Sequence, residues 1–295
     1  MMRSTLRSAL DQEIWDAHHR RRTPLIMGIV NITPDSFFDG GRADPALAIA
    51  HAHRLIEDGS DLLDLGAESS RPGSAPVDLD SEWQRLEPVL AALVSDCPIP
   101  ISVDTYKPEI ARRALAMGVE MINDITGLSD PLMRRVVAET HAWACVMHMQ
   151  ATPADMQVQP TYMRSCHEEV ISWLQQRLEL CMEEGCPSQR IVVDPGIGFG
   201  KTLEHNLDLL AHLEELRALG APILLGLSRK SFIGQILHNK VEDRLVGTLA
   251  VHGWCTAHGH PAILRVHDVR AHVETFKMVA ALEGHAGLGT PSAPL

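Results

Sequence analysis

The sequence predicts an α/β protein, a (β/α)8 barrel with a helical extension at its N-terminus, and three observations carry that expectation. From Leu25 onward, short apolar runs alternate with longer segments of helical period, the pattern of parallel βα units. Eight such units can be counted, read as strands at Leu25 to Asn31, Leu62 to Gly66, Ile101 to Asp104, Met121 to Asp124, Cys145 to Met149, Ile191 to Asp194, Ile223 to Gly226 and Ala262 to Val266. Finally, Asn31, Asp104, Asn123, Asp194, Ser228 and His267 all fall at or just past a strand end. A doubly wound sheet would use the same units, but barrel enzymes gather their working groups at those C-terminal ends, so the recurrence favours closure.

The intervening segments carry helix signals. Lys107-Pro108-Glu109 places proline and an acid at a helix start, Ile110, Ala114 and Met117 share a face, and Gly118 can end it. Ile171, Leu174, Leu178 and Cys181 form a similar stripe. Residues 1–24 place Leu6, Leu10, Ile14 and Trp15 at helical spacing before a basic run, His18 to Arg22; this extension is expected to cover the bottom of the barrel, with the basic run solvated. The barrel domain is expected at 25–283, and residues 284–295, rich in Gly, Ala and Pro, read as a disordered tail. Two strand-to-helix connections, Ile32 to Asp44 and Ala67 to Asp80, exceed the usual few residues; they read as lids over the catalytic face, with plain surface insertions as the alternative.

At 295 residues, 45% hydrophobic and 22% charged, the chain has material for one barrel-sized domain. Its formal charge of -12 argues against nucleic acid and anionic membrane as partners, while leaving room for a small anion where basic side chains converge. The six cysteines form no Cys-x-x-Cys pair and read as reduced thiols. The first 24 residues lack the apolar stretch of a secretory signal, and no segment reaches the roughly 20 apolar residues of a membrane span, so a cytoplasmic location is expected.

Two apparent motifs fail on spacing. The run from Asp194 to Thr202, DPGIGFGKT, invites a phosphate-loop reading, but a Walker loop needs glycine where Pro195 stands, and a dinucleotide fingerprint from Gly196 needs glycine where Lys201 stands. Its glycines are expected to clear room for a flat ligand. The sixteen histidines include no His-Glu-x-x-His pair, so no structural metal is expected, and His51, His141 and His258 are assigned to helix surfaces.

The segments Met27 to Phe37 (MGIVNITPDSF) and Gly66 to Gly73 (GAESSRPG) resemble the two signature segments of the dihydropteroate synthase family. The motifs SVDT from Ser102, INDI from Ile122, MHMQ from Met147, DPGIGFGK from Asp194, GLSRKS from Gly226 and RVHDV from Arg265 follow in family order, so the resemblance runs from about Leu25 to Leu282. It implies a transferase of folate biosynthesis that joins a pterin diphosphate to para-aminobenzoate. It also implies that Asp104, Asn123, Asp194 and Lys230 hold the pterin, with Met147, Phe199, Gly226 and Arg265 packed about the ring. Asn31, Ser70, Arg71, Arg265 and His267 would receive the diphosphate, with Asn31 also a ligand of Mg²⁺. Phe37, Asp39, Ser70, Arg71, Pro72 and Ser228 would form the para-aminobenzoate pocket.

The implied mechanism is dissociative. Pyrophosphate leaves, assisted by Mg²⁺, Arg265 and His267, and Asp104 stabilises the resulting pterin methylene cation. The resemblance further implies a homodimer paired through the late helices. Two departures stand out: Ala67 and Ser70 occupy positions where the family more often has glycine and threonine, which bears on loop closure and sulfonamide sensitivity. A methyltetrahydrofolate methyltransferase with the same pterin cradle, and a noncatalytic pterin binder, are the competing readings.

Overall fold

The computed structural model describes residues 10–17, 23–33, 38–39 and 42–287. Eight parallel strands form the barrel: β1 (Leu25–Asn31), β4 (Leu62–Gly66), β5 (Ile101–Asp104), β6 (Met121–Asp124), β7 (Trp143–Met147), β8 (Ile191–Asp194), β9 (Leu224–Leu225) and β10 (Ile263–Val266). The pairing order is β8-β7-β6-β5-β4-β1-β10-β9. A single parallel bridge from Val193 to Ile223, beside a 2.9 Å bond from Val193 N to the Pro222 carbonyl, joins the outer strands. A two-stranded ribbon, β2 (Phe38–Asp39) and β3 (Arg42–Ala43), lies within the first long connection.

After α1 (residues 10–17), helices alternate with the strands: α2 (Pro45–Glu57), α3 (Leu79–Val94), α4 (Pro108–Met117), α5 (Pro131–Thr140), α6 (Cys166–Glu183), α7 (Leu203–Ala211), α8 (Ser231–Leu237), α9 (Leu245–Gly259) and α10 (Val269–Gly287). Several start on side-chain caps. Asp44, Asp78 and Asp130 accept from backbone amides of α2, α3 and α5, and Thr202 with His205 forms a capping box on α7. The last helix reaches Gly287, into the segment expected to be disordered.

Period-two alternation divides each strand between two cores. Outward residues such as Val30, Leu63, Val103, Ile122, Val146 and Val193 pack with the helices in one large cluster. Inward residues Met27, Leu62, Met121, Trp143, Cys145, Val192 and Leu224 form a second, closed at the bottom by Leu10, Ile14 and Ala17 of the helix over residues 10–17. Asp11 of that helix accepts from Trp143 Nε1 at 2.8 Å and pairs with Arg190, which fixes it across the barrel floor. Above them the inward positions turn largely polar, with Asn31, Asp64, Ser102, Asp104, Asn123 and Asp194 among the apolar Ile29 and Met147. They form the site described below.

Strand β7 begins and ends two residues before its expected bounds, and β9 contracts to two residues. Gly226 breaks the second pattern, and Trp143 extends the first downward into the floor cluster. All six cysteines are buried thiols, and among the described residues no helix is long and apolar enough to cross a membrane.

Candidate active site at the barrel mouth

The register places Asn31, Gly66, Asp104 and Asn123 level with one another on four adjacent strands, β1, β4, β5 and β6. Met147 and Asp194 pair in the same way on β7 and β8. Arg265 starts lower, beside Met27, and its long side chain climbs to the level of the acids. Its Nη2 donates to Asp104 at 2.8 Å and its Nε to Asp64 at 2.6 Å. Asn123 Nδ2 also donates to Asp64, at 3.1 Å. Parallel strands and a barrel stagger thus bring residues 31, 64, 104, 123 and 265 to one side of the mouth, and 147, 194 and 230 to the other.

Asp194 is 6% exposed and accepts the Gly196 amide at 2.7 Å. Burial raises its pKa, opposed by the nearby Lys230 ammonium. Lys230 caps α8, donates to the Ile197 carbonyl, and sits 4.3 Å over the Phe199 ring. Burial pushes its ammonium down to about 8, with Asp194 holding it up and Arg265 lowering it further. Asp104 moves the other way. Burial raises it to about 7, Arg265 opposes the rise, and the Asp64 charge adds to it.

His267 is held down to about 4, first by burial and then by the charges of Arg265, Arg229 and, more weakly, Arg71. It is therefore neutral at neutral pH. Its backbone amide donates to Ser228 Oγ at 3.2 Å, and the same hydroxyl lies 3.0 Å from His267 Nδ1, which fixes the orientation of the neutral ring. Ser228 is buried and serves His267. Ser70 is half-buried, while Arg71 and Pro72 are exposed on the second long loop. That loop is tightened by Ser74 Oγ, which donates to the carbonyls of Ser69 and Arg71. Of the remaining para-aminobenzoate candidates, Asp39 belongs to the β2 ribbon and Phe37 lies outside the described residues.

The glycine-rich segment has a different physical cause from the one expected. Gly196 has φ +67°, and a Cβ there would lie 1.8 Å from the His148 carbonyl oxygen. Its glycine therefore permits the loop to coil against the end of β7, a backbone contact and not room for a ligand. Asn206 accepts the Gly198 amide, Gln157 donates to the Gly198 carbonyl, and Tyr162 donates to the Gly200 carbonyl.

Three functional features escaped sequence reasoning. Asp64 lies in the middle of an apolar strand, where only its shared inward phase with Gly66 signals a role. Lys201 is 3% exposed and bonds to His148 Nδ1 at 2.9 Å and the Phe199 carbonyl at 3.0 Å, with its ammonium pushed down to about 7 chiefly by burial. The third is the long connection over residues 148–165, which braces the glycine-rich loop and, through the Pro153 carbonyl, accepts the Gly73 amide of the second loop. Its Pro153 and Pro160, without helical period, are the signal that could have marked it.

Outside the mouth, His167, Asp208 and His212 approach one another closely among the described residues. The two imidazoles stack 3.8 Å apart and 15° from parallel, and both Nδ1 atoms face Asp208 Oδ1, at 3.0 Å from His167 and 3.3 Å from His212.

The titrations of Lys230 and Asp194 predict how pterin affinity depends on pH. Lys230 stops donating as a cation when pH rises through about 8, and Asp194, raised by burial, is protonated at a higher pH than an ordinary carboxyl. Affinity for a pterin analogue should therefore peak between these limits and fall on both sides. Calorimetry from about pH 5 to about pH 9 checks it, and Lys230→Met should flatten the alkaline limb. A flat profile for the unsubstituted protein would separate both groups from the ligand.

The family described as pterin binding enzyme matches residues 27–267. Dihydropteroate synthase of Escherichia coli (strain K12) is 42% identical over 259 residues, covering 88% of this chain and 91% of that one. The Xanthomonas albilineans dihydropteroate synthase solved with 4-aminobenzoic acid superposes with a TM-score of 0.83 at 40% identity, over 91% of this chain and 94% of that one. Its complex with 7,8-dihydropteroate superposes with a TM-score of 0.80 at 38% identity, over 94% and 99%.

Proposed function

Because the chain belongs to the dihydropteroate synthase family of pterin binding enzymes, which are transferases, we propose that it condenses 6-hydroxymethyl-7,8-dihydropterin diphosphate with para-aminobenzoate. The products are 7,8-dihydropteroate and pyrophosphate. The observation that carries this reading is the convergence at one barrel mouth of Asp194, Asn123 and Lys230 with Arg265 and His267.

A pterin edge is an amide fused to an amidine. Asp194 accepts its ring N–H and exocyclic amine in parallel, Asn123 meets neighbouring positions, and Lys230 donates to the carbonyl. Arg265 spends two of its five N–H groups on Asp64 and Asp104, leaving three for the diphosphate and a cationic plane over the ring. His267 adds its ring N–H. Charge then develops in two places: on the departing pyrophosphate, met by Arg265 and His267, and on the pterin methylene cation, met by Asp104. Burial raises Asp104 to about 7 against the opposing charge of Arg265, so its carboxyl titrates near neutral pH and a cation forming beside it favours the ionised form. The arylamine is uncharged at neutral pH and attacks without a strong base.

Asn31 ends β1 level with Gly66 and carries a single neutral amide oxygen. That donor fits Mg²⁺, which takes most of its shell from waters and substrate phosphate. A bound ion would neutralise diphosphate charge.

The test is turnover with the pterin diphosphate and para-aminobenzoate, together with a binding titration. Para-aminobenzoate should bind at least about tenfold tighter when a pterin analogue, pyrophosphate and Mg²⁺ are present, because the filled pterin site offsets the ordering of the two long loops. No dihydropteroate formed would defeat the reading in favour of a methyltransferase or a noncatalytic binder. Equal affinity in both titrations would remove the ordered loops alone.

Pairing through the late helices is part of the same proposal. Val246 and Trp254 of α9 are 76% and 41% exposed, with Ile236, Leu237 and Val241 also exposed nearby in sequence, an unusual density of apolar surface. We expect a dimer at micromolar concentration by sedimentation and a monomer for Val246→Glu. A monomeric unsubstituted protein would contradict it.

A further inference from the structure

We propose that Asp64 is a positioning residue for the proposed reaction, holding Asn123 and Arg265 to one carboxylate oxygen so that the pterin edge and the diphosphate are presented together. The inference rests on the function proposed above. Asp64 is fully buried, and its Oδ2 accepts from Arg265 Nε at 2.6 Å and Asn123 Nδ2 at 3.1 Å. These two donors come from β10 and β6, on either side of β4, and Asp64 is the side chain that ties them to each other.

The energetics point away from a structural role. Asp64 Oδ1 is buried with no hydrogen-bond partner, and so is Ser102 Oγ, its in-register neighbour on β5. A fold selected only for stability gains little from a buried carboxylate with half its acceptor capacity unused, since a well-packed apolar residue would serve as well or better. What the carboxylate does supply is orientation and field. It locks the guanidinium plane in two directions, with Asp104 taking Nη2, and its charge raises the proton affinity of Asp104. Glu82 and Asp124 add to that rise more weakly, and Arg265 opposes it.

Asp64→Asn keeps the volume and removes the charge. It should fold, lower kcat/KM on the order of 100-fold, and weaken pterin-analogue binding, because the common acceptor of Asn123 and Arg265 loses its charge. Removing the Asp64 charge, which shares Arg265 with Asp104, should also move the acid limb of the pH–rate profile to lower pH, since Asp104 then faces one fewer negative neighbour. A merely structural residue would not move that limb. Ser102→Asp in the Asp64→Asn background returns a carboxylate one strand away; it should recover part of the activity and supplies a folded variant if the single substitution does not fold. Turnover by the unsubstituted protein tests the underlying function separately. With that turnover intact, unchanged analogue affinity and an unmoved acid limb in a cooperatively folding Asp64→Asn protein, or no recovery in the double variant, would overturn the assignment of Asp64.

Discussion

Asp194→Ala should abolish measurable binding of a pterin analogue while leaving the barrel folded. In the proposed complex the carboxylate is the charged acceptor for two pterin N–H groups, and removing it leaves both without a partner in a nearly dry site. The cost is about 2 kcal/mol or more, at least about thirtyfold in affinity. Its second effect is on Lys230, which loses the anion that holds its ammonium up against burial. Lys230 should then titrate lower than in the unsubstituted protein, so raising the pH cannot restore the site. Calorimetry with a pterin analogue measures the first effect. Unchanged affinity would remove Asp194 from the site and leave the glycine-rich loop as its only role.

Arg265→Leu should be more damaging still, because it strands two buried carboxylates. Asp64 and Asp104 both face the guanidinium, and breaking a buried pair by deleting one partner costs about 3–5 kcal/mol. The pH dependence has a definite sign. Asp104 already has a raised pKa of about 7 in the fold, and losing the Arg265 charge raises it further. A carboxyl whose folded pKa exceeds its unfolded value binds its proton more tightly in the fold, so it favours folding at acid pH and penalises it as pH rises toward that pKa. Both proteins lose stability alike as pH rises to about 7, and above that the variant alone goes on losing it, so its deficit should widen above about pH 7 and narrow to a constant value as pH falls to that point. Denaturant unfolding at several pH values reads it directly. A deficit that widens on acidification would mean that the two acids are not the source of the cost. Synthase activity should be lost at every pH, since the diphosphate loses its main cation.

Much of this was legible in the chain because a parallel barrel converts sequence order into position. Strands are short apolar runs with a period of two, and a polar residue at a strand's C-terminal end necessarily arrives at the mouth. Asn31, Asp104, Asn123 and Asp194 could therefore be placed without coordinates, and the motif order supplied their expected ligands. The helix on residues 10–17 was legible for a similar reason, as an apolar stripe with nothing of its own to pack on.

Tertiary structure decided what depends on contacts between strands far apart in sequence. Asp64 reads as an anomaly inside an apolar run until Arg265 and Asn123 are seen to share its oxygen, across 201 and 59 residues of chain. Ser228 reads as a pocket-edge residue, and the structure adds that its hydroxyl meets His267, a ring that burial and nearby arginines hold neutral. Gly196, Gly198 and Gly200 are explained by the His148 carbonyl, the Lys230 side chain and Gln150, which a Cβ at each position would strike or crowd. Sequence thus determined which strands form and which polar groups reach the mouth, because hydrophobic period and strand polarity are local. The charge states, the hydrogen-bond partners and the loop that braces the site were left to the tertiary structure, because desolvation and long-range pairing depend on what the barrel's closure places beside each group.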